Sequence, residues 1–378
     1  MKSFTRVTVA LALLAAVPPA LAATATVTRA WQFKPDSAAG LRIQNLVGDL
    51  RIERGAEAGF HVTARATVTA ESQAEADRLA KLIEYRTADA AAGSRFDVVL
   101  PSAHFPKIYH GGAHAAWWGI TYVNYLRERI RVTGDPDDAP GVRVDLVIRA
   151  PAGARLDTST VFGDQAAIGY SGTLRLDGGS GSLRSTGGEG EVELDSGSGA
   201  VEVERHRGRV RADTGSGSVR VSDCECDISA DTGSGSVEVR GGSGRVHADT
   251  GSGRVSIESF AGPIEADTGS GSVRARDVSA VRELDVDTGS GSVTVEGDLS
   301  ALEQLRIDTG SGGVRLRSSA APSIEIRVDT GSGGVDVDAP GATIRESEGV
   351  WTLRLGAGAA RGLIDTGSGS VDLTFPGS

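Results

Sequence analysis

Five letters, Asp-Thr-Gly-Ser-Gly, recur along the second half of this chain at nearly constant spacing. The motif starts at Asp213, Asp231, Asp249, Asp267, Asp287, Asp308, Asp329 and Asp365, and looser copies start at Asp177 and Asp195. From Asp177 to Asp267 every step is 18 residues, the next steps are 20, 21 and 21, and the last is 36, twice 18. A fixed period of this size means a repeat architecture, in which each unit buries its apolar face only against its neighbours. A degenerate copy, ESEGVWTLRL at 346–355, fills the long gap and reads as one more coil.

One unit, SVRVSDCECDISADTGSG at 218–235, shows what repeats. Val219 and Val221 flank Arg220, and Ile228 and Ala230 flank Ser229, so each unit carries two short strands of period two. The inward positions return as Val201, Val219, Val237, Val255 and Val273 on one strand and as Val210, Ile228, Val246 and Ile264 on the other. Arg, Glu, Ser, Asp and Thr take the outward positions. Stacked coil on coil, about 4.8 Å apart, such units form parallel sheets over a thin aliphatic core. The expected fold is therefore all-β: a parallel β-solenoid of 18–21-residue, two-strand coils. A hexapeptide helix would need an aliphatic residue six positions after Val219, where Glu225 and Asp231 follow instead. A calcium β-roll needs its Gly-rich turn twice per 18 residues, and here it comes once.

Asp-Thr-Gly-Ser also opens the catalytic loop of pepsin-like proteases. That chemistry needs two carboxylates facing one another and sharing a proton. Parallel stacking sets each Asp above the next along one edge, so eight equivalent residues offer no unique pair, and the protease reading is rejected. As structural turn residues, the Asp side chains are expected to accept hydrogen bonds from backbone N–H groups two residues on, with Gly supplying positive φ. A row of divalent cations weakly bound along the Asp edge is the alternative. No catalytic residue and no dedicated metal site is expected.

Bulk properties narrow the partners. Gly is 52 of 378 residues, about double the usual 7%, and its periodicity argues for regular turns over disorder. The net charge is −11, with Arg alternating with Asp and Glu, so nucleic acid is not an expected partner. MKSFTRVTVALALLAAVPPALA at 1–22 has a basic start, a short apolar run and a small-x-small end, which reads as a secretory signal peptide. No Cys follows the apolar run, and no later stretch reaches the roughly 20 apolar residues of a membrane span. The expected location is outside the cytoplasm, in the periplasm or at the cell surface. Cys224 and Cys226 read as small side chains at a coil edge, with an exposed redox pair, able to close a small strained ring, as the alternative.

The chain before the repeats divides into opening coils and an excursion, so 23–150 is read as one region and 151–378 as the repetitive solenoid. LRIQNLVGDLRIERG at 41–55 already alternates as a coil does. ESQAEADRLAKLIEYRT predicts an amphipathic helix over 71–87, capped by Glu71 or Ser72, that shields the apolar end of the stack. FDVVLP and VRVDLVIRAPAGARLDTST predict further strands. The excursion at 102–138 holds three of the six His, two of the four Trp and three of the five Tyr. Trp117, Trp118, Tyr122 and Tyr125 are the candidate ligand-binding residues, stacking on sugar rings or on a protein partner. The competing reading is an apolar flap packed on the first coils. His110 and His114 are four apart, but without a carboxylate they make a weak metal pair.

LRIQNLVGDLRIERG, VDLVIRAPAGARLDTSTVFGD and the DTGSGSV units together resemble the bacterial adhesin-like family of toastrack domains of unknown function, over about 38–375. The resemblance implies a repeat-rich parallel β-solenoid at the cell envelope and no catalytic residues. The aromatic excursion departs from the shorter link usual in that family. The expected function is a non-enzymatic envelope protein, an adhesin-like or scaffold solenoid whose partner is another envelope protein or a glycan. The alternatives are a polysaccharide-active β-helix enzyme and a cation-binding surface stalk. Loops of four to six residues leave an enzyme no room for a groove outside 102–138.

Overall fold

The computed structural model describes residues 23–33, 40–55, 59–90, 93–110, 121–133 and 139–376. The chain forms two compact units that divide after Gly190.

The second unit is a parallel β-solenoid. In one of its sheets Val201, Val219, Val237, Val255, Val273, Val293 and Val314 lie in register on successive strands. In the other, Val210, Ile228, Val246, Ile264, Leu284 and Leu305 do the same. All of these side chains are buried, as period-two alternation requires when one face meets a core. Two corners turn the chain. One is Asp-Thr-Gly-Ser-Gly. The other recurs every 18 residues at Arg205, Asp223, Gly241, Ser259 and Asp277, all with φ between 52° and 70°. Glycine is obligatory at the end of the first corner for a different reason: a Cβ on Gly253 would lie 1.6 Å from the Gly235 carbonyl oxygen of the preceding coil.

The order of coils departs from the order of sequence at the C-terminal end. The last strands, Ala360–Thr366 and Val371–Thr374, pair in parallel with Gln304–Thr309 and Val314–Ser318 on one side. On the other side they pair in parallel with Ile324–Asp329 and Val335–Asp338. The final coil is thus inserted between the two that precede it. Gly362 occupies the apolar ladder position between Leu305 and Ile326, where a Cβ would sit 3.0 Å from the Ile326 side chain.

The segment 346–355, expected to be one more coil, is instead half of a hairpin. Thr343–Ser347 and Val350–Arg354 pair antiparallel, and the latter also runs antiparallel to Ile324–Asp329. Glu348 and Gly349 between them have φ of 55° and 82°. Two consecutive positive-φ residues make the tight turn that reverses a chain into a hairpin, whereas a solenoid corner carries it on to the next sheet.

In the first unit, β1 (Ala23–Phe33), β2 (Leu41–Val47), β3 (Leu50–Arg54), β4 (Phe60–Ala70), α1 (Gln73–Leu82), β5 (Glu84–Ala90) and β6 (Gly93–Val99) come first. β7 (Lys107–Tyr109), β8 (Thr121–Tyr125), β9 (Glu128–Thr133), β10 (Gly141–Ala150), β11 (Ala154–Phe162) and β12 (Gln165–Ile168) follow. β2 lies in parallel between β6 and β11, and β3 between β10 and β12. β4 pairs antiparallel with β1 and with β10. Ser72 caps α1, its hydroxyl accepting from Glu75 N at 3.3 Å. Ala76, Leu79 and Ala80 are buried, and α1 packs on β1 and β4. The helix stops earlier than the expected residue 87. Ile83 is already extended, and Glu84–Ala90 pairs antiparallel with β6; an available strand edge and the β-favouring Tyr85 and Thr87 outweigh the helical period.

Candidate functional site

The repeated corner is built by its threonine. Strict alternation along Val246-His247-Ala248-Asp249-Thr250 turns Thr250 inward and Asp249 outward. The Thr250 hydroxyl donates to Gly235 O at 2.9 Å and accepts from Gly253 N at 3.0 Å, tying one coil to the one before and closing its own turn. Thr214, Thr232, Thr268, Thr288 and Thr309 make the same two bonds. These threonines and Thr366 are at most 1% exposed. This corrects two expectations: Thr is an inward residue, and the turn acceptor is its hydroxyl. Asp329 alone of the eight shows the expected Asx bond among the described residues, with Gly331 N at 3.4 Å. A β-branched hydroxyl fits a buried corner because it satisfies one donor and one acceptor with no charge to desolvate.

Asp213, Asp231, Asp249, Asp267, Asp287, Asp308, Asp365 and Asp329 follow one another in register along the outer face of one sheet. Partial burial first, then the adjacent carboxylates of Asp231 and Asp195, raise the Asp213 carboxyl above the usual range. Asp267 is raised in the same way, by burial and then by Asp249 and Asp287. Each Asp between two others has equivalent neighbours on either side, pointing the same way from the same sheet. That geometry sets carboxylates side by side and presents no facing pair. Among the described residues no group of three or more His, Cys, Asp or Glu is arranged to hold a metal ion.

The outer face of the other sheet is charge-balanced. Arg220 lies 3.7 Å from Glu202 and 3.4 Å from Glu238. Arg240 lies 3.3 Å from Glu258. Glu296 is 3.6 Å from Arg276 and 3.7 Å from Arg317. Opposite charges on neighbouring coils favour one register over slipped ones.

The excursion divides by depth. β8 and β9 form a hairpin turned at Leu126 and Arg127, with φ of 50° and 71°. β9 pairs with β7, which touches β10 at Tyr109–Gly141. Phe105, Ile108, Ile130 and Val132 are buried beneath. Tyr125 is buried with them, its hydroxyl donating to Val98 O at 2.8 Å, and burial pushes its phenol well above the usual range. Its ring offers no free face. Tyr122 is 56% exposed with the Arg129 guanidinium 4.1 Å over its ring. His110 is buried and stacks on Phe162 at 4.9 Å. Trp117, Trp118 and His114 lie outside the described residues.

Cys224 and Cys226 are joined by a disulfide, and both are buried. Cys226 stands at the position held by Gly208, Gly244 and Gly262 in other coils, each at positive φ. This corrects the reading as unjoined or exposed side chains: the i, i+2 spacing on an extended strand allows the ring, and the pair is buried.

Among the described residues no helix is long and apolar enough to cross a membrane. No curated protein matches the chain significantly. A crystal structure of a candidate cell-adhesion protein from Clostridium sporogenes ATCC 15579 aligns over 93% of this chain and 100% of its own, at 10% identity and a TM-score of 0.18. A likeness that low carries no argument. Residues 243–378 match the family model described as Toastrack DUF4097. Over these residues the chain is similar to a toastrack-type domain of unknown function.

Proposed function

We propose that this protein is a non-enzymatic, exported envelope protein whose solenoid serves as an adhesion or scaffold surface. One observation carries the reading: the motif that resembles a catalytic loop recurs as equivalent corners in register, with its hydroxyls spent on coil-to-coil bonds. Catalysis needs a unique constellation of unlike groups at one place, and a ladder of identical corners supplies regular surface instead. The toastrack match is compatible with this reading and names no reaction. Within the excursion, Tyr122 is the described aromatic that can meet a ligand, with Arg129 beside it. Trp117 and Trp118 are proposed to join it, and the partner is an envelope protein or a glycan.

Purified protein should be tested for capture of defined envelope proteins and on a glycan array, with Tyr122→Ala as the comparison, and cell fractionation should place it outside the cytoplasm. Capture weakened by Tyr122→Ala supports the reading. Release of oligosaccharides from an envelope polysaccharide would replace it with an enzymatic one.

A further inference from the structure

At the C-terminal end the solenoid stops unevenly. In the sheet that follows the corners, the strands that begin at Val237, Val255, Val273, Val293, Val314 and Val371 are each paired on both sides. Val335–Asp338 is paired with Val371–Thr374 alone among the described residues. Val371 N donates to Gly334 O at 2.9 Å and Phe375 N to Asp338 O at 2.8 Å. In a parallel ladder successive residues point their backbone groups to opposite edges, so the N–H and C=O of Val335 and Val337 face the open side.

The other sheet continues past this point. Val350–Arg354 and Thr343–Ser347 add to it beyond Ile324–Asp329. The apolar row is therefore left half covered: Val335 and Val337 are part-exposed where Val371 and Leu373 are buried, and Ile344 is 43% exposed.

One coil earlier, Val314-Arg315-Leu316-Arg317 lies against Val371-Asp372-Leu373-Thr374, with Arg315 3.2 Å and Arg317 3.9 Å from Asp372. Asp372 is then followed in register by Asp336, a like charge, with Asp338 two residues on. Among the described residues no ion pair reaches Asp336 or Asp338. The alternation of charge along this face ends on acids with an unpaired strand edge beside them. A second copy pairing through the same edge would set aspartates against aspartates, which disfavours it.

We propose that the open edge of Val335–Asp338 docks an extended segment of a partner protein in which Val or Leu alternates with Arg. Strand addition of this kind takes affinity from main-chain hydrogen bonds and selectivity from alternate side chains. The fold displays the pairing at 314–317 and offers it again, unfilled, at its end. This edge is separate from Tyr122 and its test does not depend on the ligand proposed there.

The probe is a blocked eight-residue peptide centred on Val-Arg-Leu-Arg, titrated into the full protein to millimolar concentration while backbone amide resonances are followed. The expected result is saturable shifts at Val335 and Val337, weakened by salt. The double variant Asp336→Arg, Asp338→Arg should bind at least tenfold more weakly and should accept a Val-Asp-Leu-Asp peptide instead. Val337→Pro should abolish the shifts while leaving the circular dichroism unchanged, since it removes an outward N–H only. No shifts in the wild type, or equal shifts with a scrambled peptide of the same composition, would overturn the proposal. So would shifts at these residues on raising protein concentration alone, which would make the edge a contact between copies.

Discussion

Asp365 is paired in register with Asp308 on one side and with Asp329 on the other. The last motif of the sequence therefore lies between the two motifs that precede it. Ile364 beside it is fully buried and Leu363 is 41% exposed. Ile364→Ala should lower stability by about 2–5 kcal/mol, and Leu363→Ala by no more than about 0.5 kcal/mol. Chemical denaturation of the two variants checks this, and a larger loss at Leu363 would show that the coil faces the other way.

The corner predicts a division of labour between neighbours. Thr250→Val keeps the shape and leaves the Gly235 carbonyl and the Gly253 N–H without their partner, a loss of about 1–3 kcal/mol. Asp249→Asn should change stability by less than about 0.5 kcal/mol. Thermal melts that ranked Asp249 above Thr250 would return the turn to the carboxylate.

The aspartate row makes stability depend on pH in a stated direction. The Asp213 carboxyl is raised in the folded state, by burial and then by Asp231. A raised carboxyl binds protons more readily when folded, so its contribution improves as pH falls through its titration and is lost as pH rises. Glu53, lowered by the Arg51 hydrogen bond, and Glu128, lowered by Ser102, act oppositely and lose their contribution as pH falls. Asp231→Asn removes one of the charges that raise Asp213. It should increase the melting temperature at pH 7 and have little effect below about pH 3, where carboxylates are protonated in both states. A decrease at pH 7 would contradict the repulsion.

The two tyrosines of the excursion should separate cleanly. Tyr125→Ala should cost about 3–5 kcal/mol, as for a buried aromatic, and Tyr125→Phe about 1 kcal/mol for the bond to Val98 O. Tyr122→Ala should leave the melt nearly unchanged and weaken partner capture.

Much of this fold is legible in the period. Val219, Val237 and Val255 stack because an 18-residue step returns the same alternation to the same place. Thr250 was legible too: alternation from Val246 and Ala248 points it inward, and the resemblance of Asp-Thr-Gly-Ser to a catalytic loop draws attention to the wrong residue. The inserted coil was not. A step of 36 is compatible with two stacked coils, and the turn at Glu348 and Gly349 tells hairpin from coil only through its backbone angles. The open edge at Val335–Asp338 follows from that insertion, so it too is invisible in a list of repeats.

The repeats are equivalent corners of a parallel stack whose final coil is inserted. Engineered disulfides test it directly, since Cys224 and Cys226 are already joined to each other. Adjacent strands stand about 4.8 Å apart, within the Cα range of a disulfide, and strands two apart exceed its limit of about 7 Å. The pair Asp308→Cys with Asp365→Cys should oxidise fully in the folded protein, as read by peptide mass mapping. The pair Asp308→Cys with Asp329→Cys should not. Closure of the second pair with failure of the first would show coils stacked in sequence order, with no insertion.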